Sequence, residues 1–556
     1  MNIHAPPAAA ERPDPMTRLT EAEKSRVAWL EENFSRETVL DELKANLQTA
    51  VEIELATIPI YLFTYYSIDR TAASGENIDR ADAFANKAGA VIMSVAVEEM
   101  LHMSLSANVL FALGVEPQLY AKAPKAYPTP LPYHKPKGPR GPDGQTAVLI
   151  PLAKLSFEQL WHFLQIEYPE QWDTPPLDPD WTTIGQFYSY IRCLLNTKFV
   201  TDADFWQGAA AQAIQPYNYS PNNIDTIYPT GKFDKWKPAP PGPMPAWASA
   251  DRYPGGAEVA VFTDRDDSHA GKSQLLSIRN RDDALCAIDT ICDQGEGYPV
   301  PNLGPGADDD QSKGEESHYV KFMRLQAQYA DYAKTRETLP AQPRPVAPQL
   351  PAVSDAELTA AGLVVNFPEN PTAFSYPEEY RPVADFCSAC FQYMLIMSET
   401  VYRVPPGDQK LFFNEGLHRS MIWVLDKYVR TIRQIPVGVD ASGKTLFMAP
   451  VFENFADLPG EDPSNREPFL GPRAASFTGP LGLIARGARA IEAANQLLAD
   501  PGLGKSVADA LNAVIHYVCV ATPQPNSTAP PGSRPLPDVG RYWGADPAPG
   551  PAAKRN

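Results

Sequence analysis

Two Glu-x-x-His motifs constrain the fold of this chain more than any other feature, Glu99 with His102 and Glu315 with His318. Residues three apart share one face of an α-helix, so each motif can present a carboxylate and an imidazole to one ion or to neighbouring ions. The stripe through the first motif continues with Ile92, Val95, Ser106 and Leu110. The pattern predicts a buried helix with a metal-ligating face.

A further carboxylate, Glu54, lies on the apolar stripe of the preceding helical segment. Its neighbours on that stripe are Leu47, Val51, Ile58, Tyr61 and Tyr65. An uncompensated polar group on a core face costs roughly 2–7 kcal/mol, and a charged one costs more. Because a cation or a metal ion would compensate it, we expect Glu54 to point into the core and Glu52 to face solvent.

The remaining ligands come after a long crossover. A helix rich in Ile and Leu ends near Glu296, and the next begins with Glu315 and His318. If these helices are antiparallel neighbours, the three side chains lie together. The order Glu, Glu-x-x-His, Glu, Glu-x-x-His is that of a carboxylate-bridged dimetal site in a four-helix bundle. Oxygen and imidazole ligands suit iron or manganese, and we expect two iron ions.

Several stretches resemble the ferritin-like domain of the iminophenyl-pyruvate dimer synthase family. They are Ile53 to Leu62, Glu98 to Met103, Phe163 to Glu170, Thr183 to Tyr188, Gln294 to Gly297 and Ser317 to Phe322. The resemblance spans roughly residues 40 to 335. It implies a ferritin-like bundle with the ligands Glu54, Glu99, His102, Glu296 and His318. Family members in violacein and indolocarbazole pathways oxidatively couple two imines derived from an aromatic amino acid.

These observations predict a mostly α fold, a ferritin-like four-helix bundle with a long Pro-rich crossover insertion and a C-terminal helical region. The 58 prolines cluster and so mark loops and boundaries. The predicted parts are an N-terminal extension (1–37), the metal-binding bundle (38–338, insertion 115–270), a Pro-rich linker (339–375), a C-terminal helical region (376–520) and a Pro-rich tail (521–556).

Composition narrows the partners and the location. The 48 Lys and Arg residues against 67 Asp and Glu residues give a net charge of −19, which argues against nucleic-acid binding. Six cysteines in so long a chain do not make a disulfide scaffold, and the N-terminus lacks a signal-peptide pattern. The most apolar stretch, 91–113, carries Glu98, Glu99 and His102, which are costly in a bilayer. We expect a cytoplasmic protein without a membrane anchor.

The expected function is O2-dependent oxidation of a small amino-acid-derived or natural-product precursor at a non-haem di-iron centre, with imine coupling as one form of that reaction. The expected partners are the small-molecule substrate and O2, and a homo-oligomer is compatible with the sequence. Two alternatives stay open: a ferritin-like iron oxidation and storage protein, and a non-catalytic helical interaction protein. The sequence does not decide whether haem is present.

For two weaker patterns we favour interpretations without a functional site. Glu415 and His418, with Glu399 on the helix before them, form a third Glu-x-x-His match, but the first half of the chain already supplies a full ligand set. His162 and Glu167 share an amphipathic stretch of the crossover and could line a substrate entry, although pairing on the surface is the interpretation we favour here.

Overall fold

A computed structural model describes the backbone of 19–69, 80–131, 149–167, 184–205, 278–295, 317–331, 352–404, 425–456, 470–498 and 538–544, with a few single residues and one residue pair between and after these ranges. Within them the chain is mostly helical, as the apolar periodicity predicts. Apart from two isolated β-bridges, the β-structure of the described residues consists of two-stranded antiparallel ribbons. They pair β1 (Thr129–Pro130) with β2 (Leu149–Ile150), β3 (Pro436–Val439) with β4 (Thr445–Phe447), and β5 (Phe455–Ala456) with β6 (Glu467–Pro468).

Two long helices form the centre of the molecule. After the short helix α1 (Glu21–Asn33), α2 spans Arg36–Ser67 and α3 spans Arg80–Ala112, and the two pack along one another. Ser35 caps the N-terminus of α2. Its hydroxyl accepts a hydrogen bond from the Thr38 backbone N–H and so satisfies an amide of the first turn. From residue 53 to its end every residue of α2 is buried, which leaves the α2 carboxylate of that stretch inside the protein.

Four shorter helices surround this pair. They are α4 (Phe157–Ile166), α5 (Ile184–Leu195), α6 (Arg281–Gly295) and α7 (His318–Gln326). Helix α4 packs on α7, α5 packs on α1, α2 and α6, and α3 contacts both α6 and α7. The predicted insertion therefore contributes two helices, α4 and α5, to the layer that encloses the centre of α2 and α3.

The C-terminal part adds α8 (Asp355–Ala360), α9 (Arg381–Thr400), α10 (Asp426–Ile432) and α11 (Leu483–Leu497), with α9 packed on α11. It is joined to the first half by polar contacts as well as by apolar packing. Arg433 donates hydrogen bonds to the carbonyl oxygens of Tyr66 and Ile68, both at 2.9 Å, at the end of α2. Tyr402 donates to Asn108 on α3 at 3.1 Å.

Helix α3 is long and apolar enough to cross a membrane by length and composition, but 83% of its most apolar window is buried inside the protein. A helix in the core of a folded protein can have the same length and composition, so these two properties do not indicate a membrane span. The five cysteines that the structure describes are free thiols, in line with the absence of a disulfide scaffold there.

Candidate metal centre

The middle of α2 and α3 brings a buried carboxylate pair together with a histidine. Glu54 and Glu99 are each 3% exposed, and His102 is 1% exposed. The His102 Nδ1 atom lies 3.6 Å from Glu99 Oε1 and 3.9 Å from Glu54 Oε2. The helical stripe that the sequence predicted for both helices is what turns these three side chains toward each other.

The second histidine, His318, opens α7 and faces the same carboxylates. It is fully buried, and its Nδ1 lies 3.0 Å from Glu99 Oε1. The rings of His102 and His318 are stacked at 24° with their centroids 5.4 Å apart. Glu99 Oε1 therefore lies near the Nδ1 atoms of both imidazoles, the position of a carboxylate shared by two ions.

A third carboxylate comes from Glu167, directly after α4. It is 3% exposed, and its Oε1 lies 3.5 Å from His318 Nδ1. The surface interpretation of Glu167 is wrong. Its helical stripe contains Leu160, Phe163 and Leu164, all buried, so the signal that predicts an inward Glu54 was present here too. His162 is half-buried on α4, and its Nδ1 is paired with Gln159.

Three hydroxyl groups fix the carboxylates. Thr57 donates to Glu99 Oε2 at 2.6 Å, which leaves Oε1 for the histidines. Tyr188 on α5 donates to Glu54, and Tyr61 on α2 donates to Glu167. Each carboxylate is thereby held by a neutral donor on one oxygen.

The side chain of Glu98, beside Glu99, also belongs to the site. Its Oε2 lies 2.6 Å from His318 Nε2, and the Lys321 ammonium donates to both of its oxygens at 2.9 and 2.6 Å. Sequence reasoning did not assign Glu98 or Lys321. The sequence pattern that could have predicted them is the i,i+3 spacing of His318 and Lys321, because residues three apart lie on the same face of a helix.

The charges at the centre shift several pKa values. Burial raises the pKa of Glu54 well above its ordinary value, and the Glu99 charge adds to this. Burial and the Glu99 charge likewise raise the pKa of Glu167. Burial would raise the pKa of Glu99 too, but the nearby imidazoles of His102 and His318 bring it well below its usual range. Burial would lower the pKa of His318, and the Glu167 charge with the neighbouring carboxylates raises it instead.

The donor set fits metal ions. Glu99, His102 and His318 each offer one ligand atom, and these atoms lie within 4.8 Å of one another. His318 Nδ1 is buried and, among the described residues, is not aligned for a hydrogen bond. Three clustered buried carboxylates are costly without cationic partners, whereas carboxylate oxygens with imidazole nitrogens are ligands for iron and manganese.

Four of the six ligands expected from the sequence come together here: Glu54, Glu99, His102 and His318. Glu296 and Glu315 lie outside the described residues, as do Glu415 and His418 of the weaker C-terminal pattern. Glu399 accepts hydrogen bonds from the backbone of Leu119 and Tyr120 and from Arg473, so its oxygens are engaged in joining parts of the fold.

Comparison with known proteins identifies a matching family model over the part of the chain that contains the centre. The family model described as Ferritin-like matches residues 47–233 and 248–327, which contain every residue assigned to the centre above. Dichlorochromopyrrolate synthase of Lentzea aerocolonigenes is 24% identical over 303 residues. The alignment covers 51% of this chain and 24% of that protein, so the chain matches about a quarter of its relative.

A crystal structure of a ferritin-like protein from Caulobacter vibrioides is also similar, with 18% sequence identity and a TM-score of 0.33. That similarity covers 69% of this chain and 95% of the other.

Proposed function

We propose that the ferritin-like domain of this chain holds a non-haem dimetal centre, with two iron ions as the first choice and manganese as the alternative, and that it uses O2 to oxidise a small organic substrate. The single observation that carries the proposal is Glu99 Oε1, 3.6 Å from His102 Nδ1 and 3.0 Å from His318 Nδ1. Two histidines around one shared carboxylate are the core of a two-ion site.

The flanking carboxylates divide the site into two ends. Glu54 lies at the His102 end and Glu167 at the His318 end. Each ion would then have one histidine, one carboxylate of its own and a share of Glu99. Iron in this setting supplies reversible changes of oxidation state that can deliver two electrons to O2.

The protein residues around the centre position the ligands and exclude water. Thr57, Tyr61 and Tyr188 hold the carboxylates in place, and all three are buried. The ring of Tyr61 contacts the rings of Phe163 and Phe322, with centroids 4.8 and 5.5 Å away. This apolar wall next to Glu167 strengthens electrostatic interactions at the centre and limits the escape of reactive species.

The substrate class follows from resemblance to known enzymes. The resemblance to the iminophenyl-pyruvate dimer synthase family and the partial match to dichlorochromopyrrolate synthase both favour an amino-acid-derived imine or a related natural-product precursor. The same resemblance favours an enzyme of secondary metabolism whose partners are this substrate and O2. The net charge of −19 and the composition favour a cytoplasmic location and argue against nucleic acid or a membrane as a partner. A homo-oligomer is compatible with this proposal.

The test is metal content after anaerobic loading with ferrous iron and desalting. We expect about two iron ions per wild-type chain, with loss of both ions in Glu99→Ala and of at least one ion in His102→Ala. Glu52→Ala is the matched control, because Glu52 lies on α2 near Glu54 but pairs with Lys122 at 3.3 Å, away from the centre. No specific iron uptake, or uptake unaffected by either substitution, would contradict the proposal.

Aerobic loading separates the alternatives. An oxidase should keep its small stoichiometric complement of iron in air, whereas a storage protein should accumulate many iron ions per chain. A chain without any metal that still binds a partner protein after Glu99→Ala would favour the interaction role. Substrate screening under O2 then follows with amino-acid-derived imines.

A further inference from the structure

Both histidines of the centre are oriented by a hydrogen bond on the side away from the carboxylates. His102 Nε2 lies 3.0 Å from Gln294 Oε1, and His318 Nε2 lies 2.6 Å from Glu98 Oε2. An amide oxygen and a carboxylate oxygen can only accept, so each Nε2 donates. Both rings are thereby set with Nδ1 toward Glu99.

The two acceptors differ in charge. Gln294 is a neutral amide, whereas Glu98 is a carboxylate that Lys321 holds by ion pairs of 2.6 and 2.9 Å. A carboxylate pulls the Nε2 proton more strongly than an amide does, which increases the electron density on the ring and makes Nδ1 a stronger ligand. The shorter contact at His318 agrees with a charge-assisted hydrogen bond.

The distances to the shared carboxylate also favour the His318 end. His318 Nδ1 lies 3.0 Å from the shared Glu99 oxygen, and His102 Nδ1 lies 3.6 Å from it. Among the described residues, the carboxylates nearest His318 are Glu98, Glu99 and Glu167, whereas those nearest His102 are Glu99 and Glu54. The Lys321 ammonium balances the Glu98 charge, so the two ends differ in the lengths of these contacts and in the acceptor of each Nε2 rather than in net charge.

We propose that the two ends of the centre are inequivalent, the His318 end binding a divalent metal ion more tightly than the His102 end because Glu98 supports its histidine where Gln294 supports the other. This inference rests on the proposed dimetal function. Glu98 and Gln294 act through the histidines and are positioning residues. The His318 end loads first and releases its ion last.

The first experiment is a stepwise anaerobic titration of the full chain with 57-iron(II), followed by Mössbauer spectroscopy. We expect the first equivalent to give one quadrupole doublet and the second equivalent to give a different one. His318→Ala should abolish the tighter binding step, and His102→Ala should abolish the weaker step. This readout does not depend on activity.

The second experiment exchanges the acceptors. Glu98→Gln keeps an oxygen for His318 but would leave the buried Lys321 ammonium without its main partner, so it is combined with Lys321→Met. We expect affinity for the first ion to fall by about 10-fold or more, the usual effect of removing such a support, and the second step to stay unchanged. Gln294→Glu should tighten the second step, and Glu52→Gln should change neither.

The outcomes separate this inference from the proposed function. Two ions bound with equal affinity and one common doublet would overturn the inequivalence while leaving the dimetal centre intact. Loss of the weaker step in His318→Ala would overturn the assignment of the ends. If Glu98→Gln with Lys321→Met fails to fold, Gln294→Glu still tests the proposal, and an unchanged second step there counts against it. An absence of specific iron binding in the wild type would overturn both proposals.

Discussion

The Glu167 carboxylate lies 3.5 Å from the Nδ1 atom of His318, although the two residues belong to helices separated by a long stretch of chain. The packing of α4 on α7 produces this contact. It gives the centre a carboxylate at the His318 end that matches Glu54 at the His102 end. A crossover residue thus supplies a carboxylate to the His318 end.

Replacing Glu167 should therefore empty one end of the centre. We expect Glu167→Ala to lower the iron content from about two to about one ion per chain, because His318 loses the carboxylate beside its Nδ1. The measurement is iron content after anaerobic loading, with Glu158→Ala on the exposed side of α4 as the control. Full iron content in Glu167→Ala would show that Glu167 is not a ligand.

Iron binding should release protons and strengthen as the pH rises. Burial and neighbouring charge raise the pKa values of Glu54 and Glu167, and the neighbouring carboxylates raise the pKa of His318. These groups therefore hold protons at pH values above their ordinary pKa values of 4.5 and 6.5. A metal ion must displace those protons, and its apparent affinity falls where they are bound. The test is proton release on ferrous loading in weakly buffered solution between about pH 6 and 8. Affinity that falls with rising pH over this window would contradict the assignment.

The buried ion pair between Glu23 and Arg192 should be important for stability and irrelevant to iron. Arg192 is 1% exposed and lies 3.1 Å from Glu23 and 2.9 Å from Asp289, which joins α1, α5 and α6. Arg192→Met should lower the free energy of unfolding by about 3–5 kcal/mol, because it leaves buried carboxylates without their cation. When Arg192→Met is combined with Glu23→Gln, the decrease in the free energy of unfolding should be smaller. Denaturant unfolding measures both, and a double variant less stable than the single one would contradict this account.

Glu399 should behave as a structural carboxylate rather than as a ligand of a second metal site. It accepts hydrogen bonds from the Leu119 and Tyr120 amides at 2.7 and 2.9 Å and from Arg473 at 3.0 Å. Glu399→Ala should therefore destabilise the fold by about 3–5 kcal/mol, since it leaves Arg473 and two buried amides without their acceptor. The iron content of the folded fraction should stay at the wild-type level. A specific loss of one metal ion with unchanged stability would favour the metal role instead.

Helix positions followed closely from the sequence. The helices predicted around Glu54 and around Glu99 and His102 correspond to α2 and α3. The mostly α fold and the ferritin-like domain are confirmed. The domain boundaries stay predictions, as do the metal-ligand assignments, of which Glu296 and Glu315 lie outside the described residues.

What the sequence determined by itself was local. Helical periodicity turned Glu54, Glu99 and His102 inward, because a 3.6-residue repeat fixes which side chains share a buried face. Which helix faces meet depends on the tertiary fold. Glu167 and Glu98 contact His318 because α4, α3 and α7 converge on it, and no spacing along the chain encodes a distance between helices that are far apart in sequence. The charges and hydrogen bonds that distinguish the two histidines arise from that convergence.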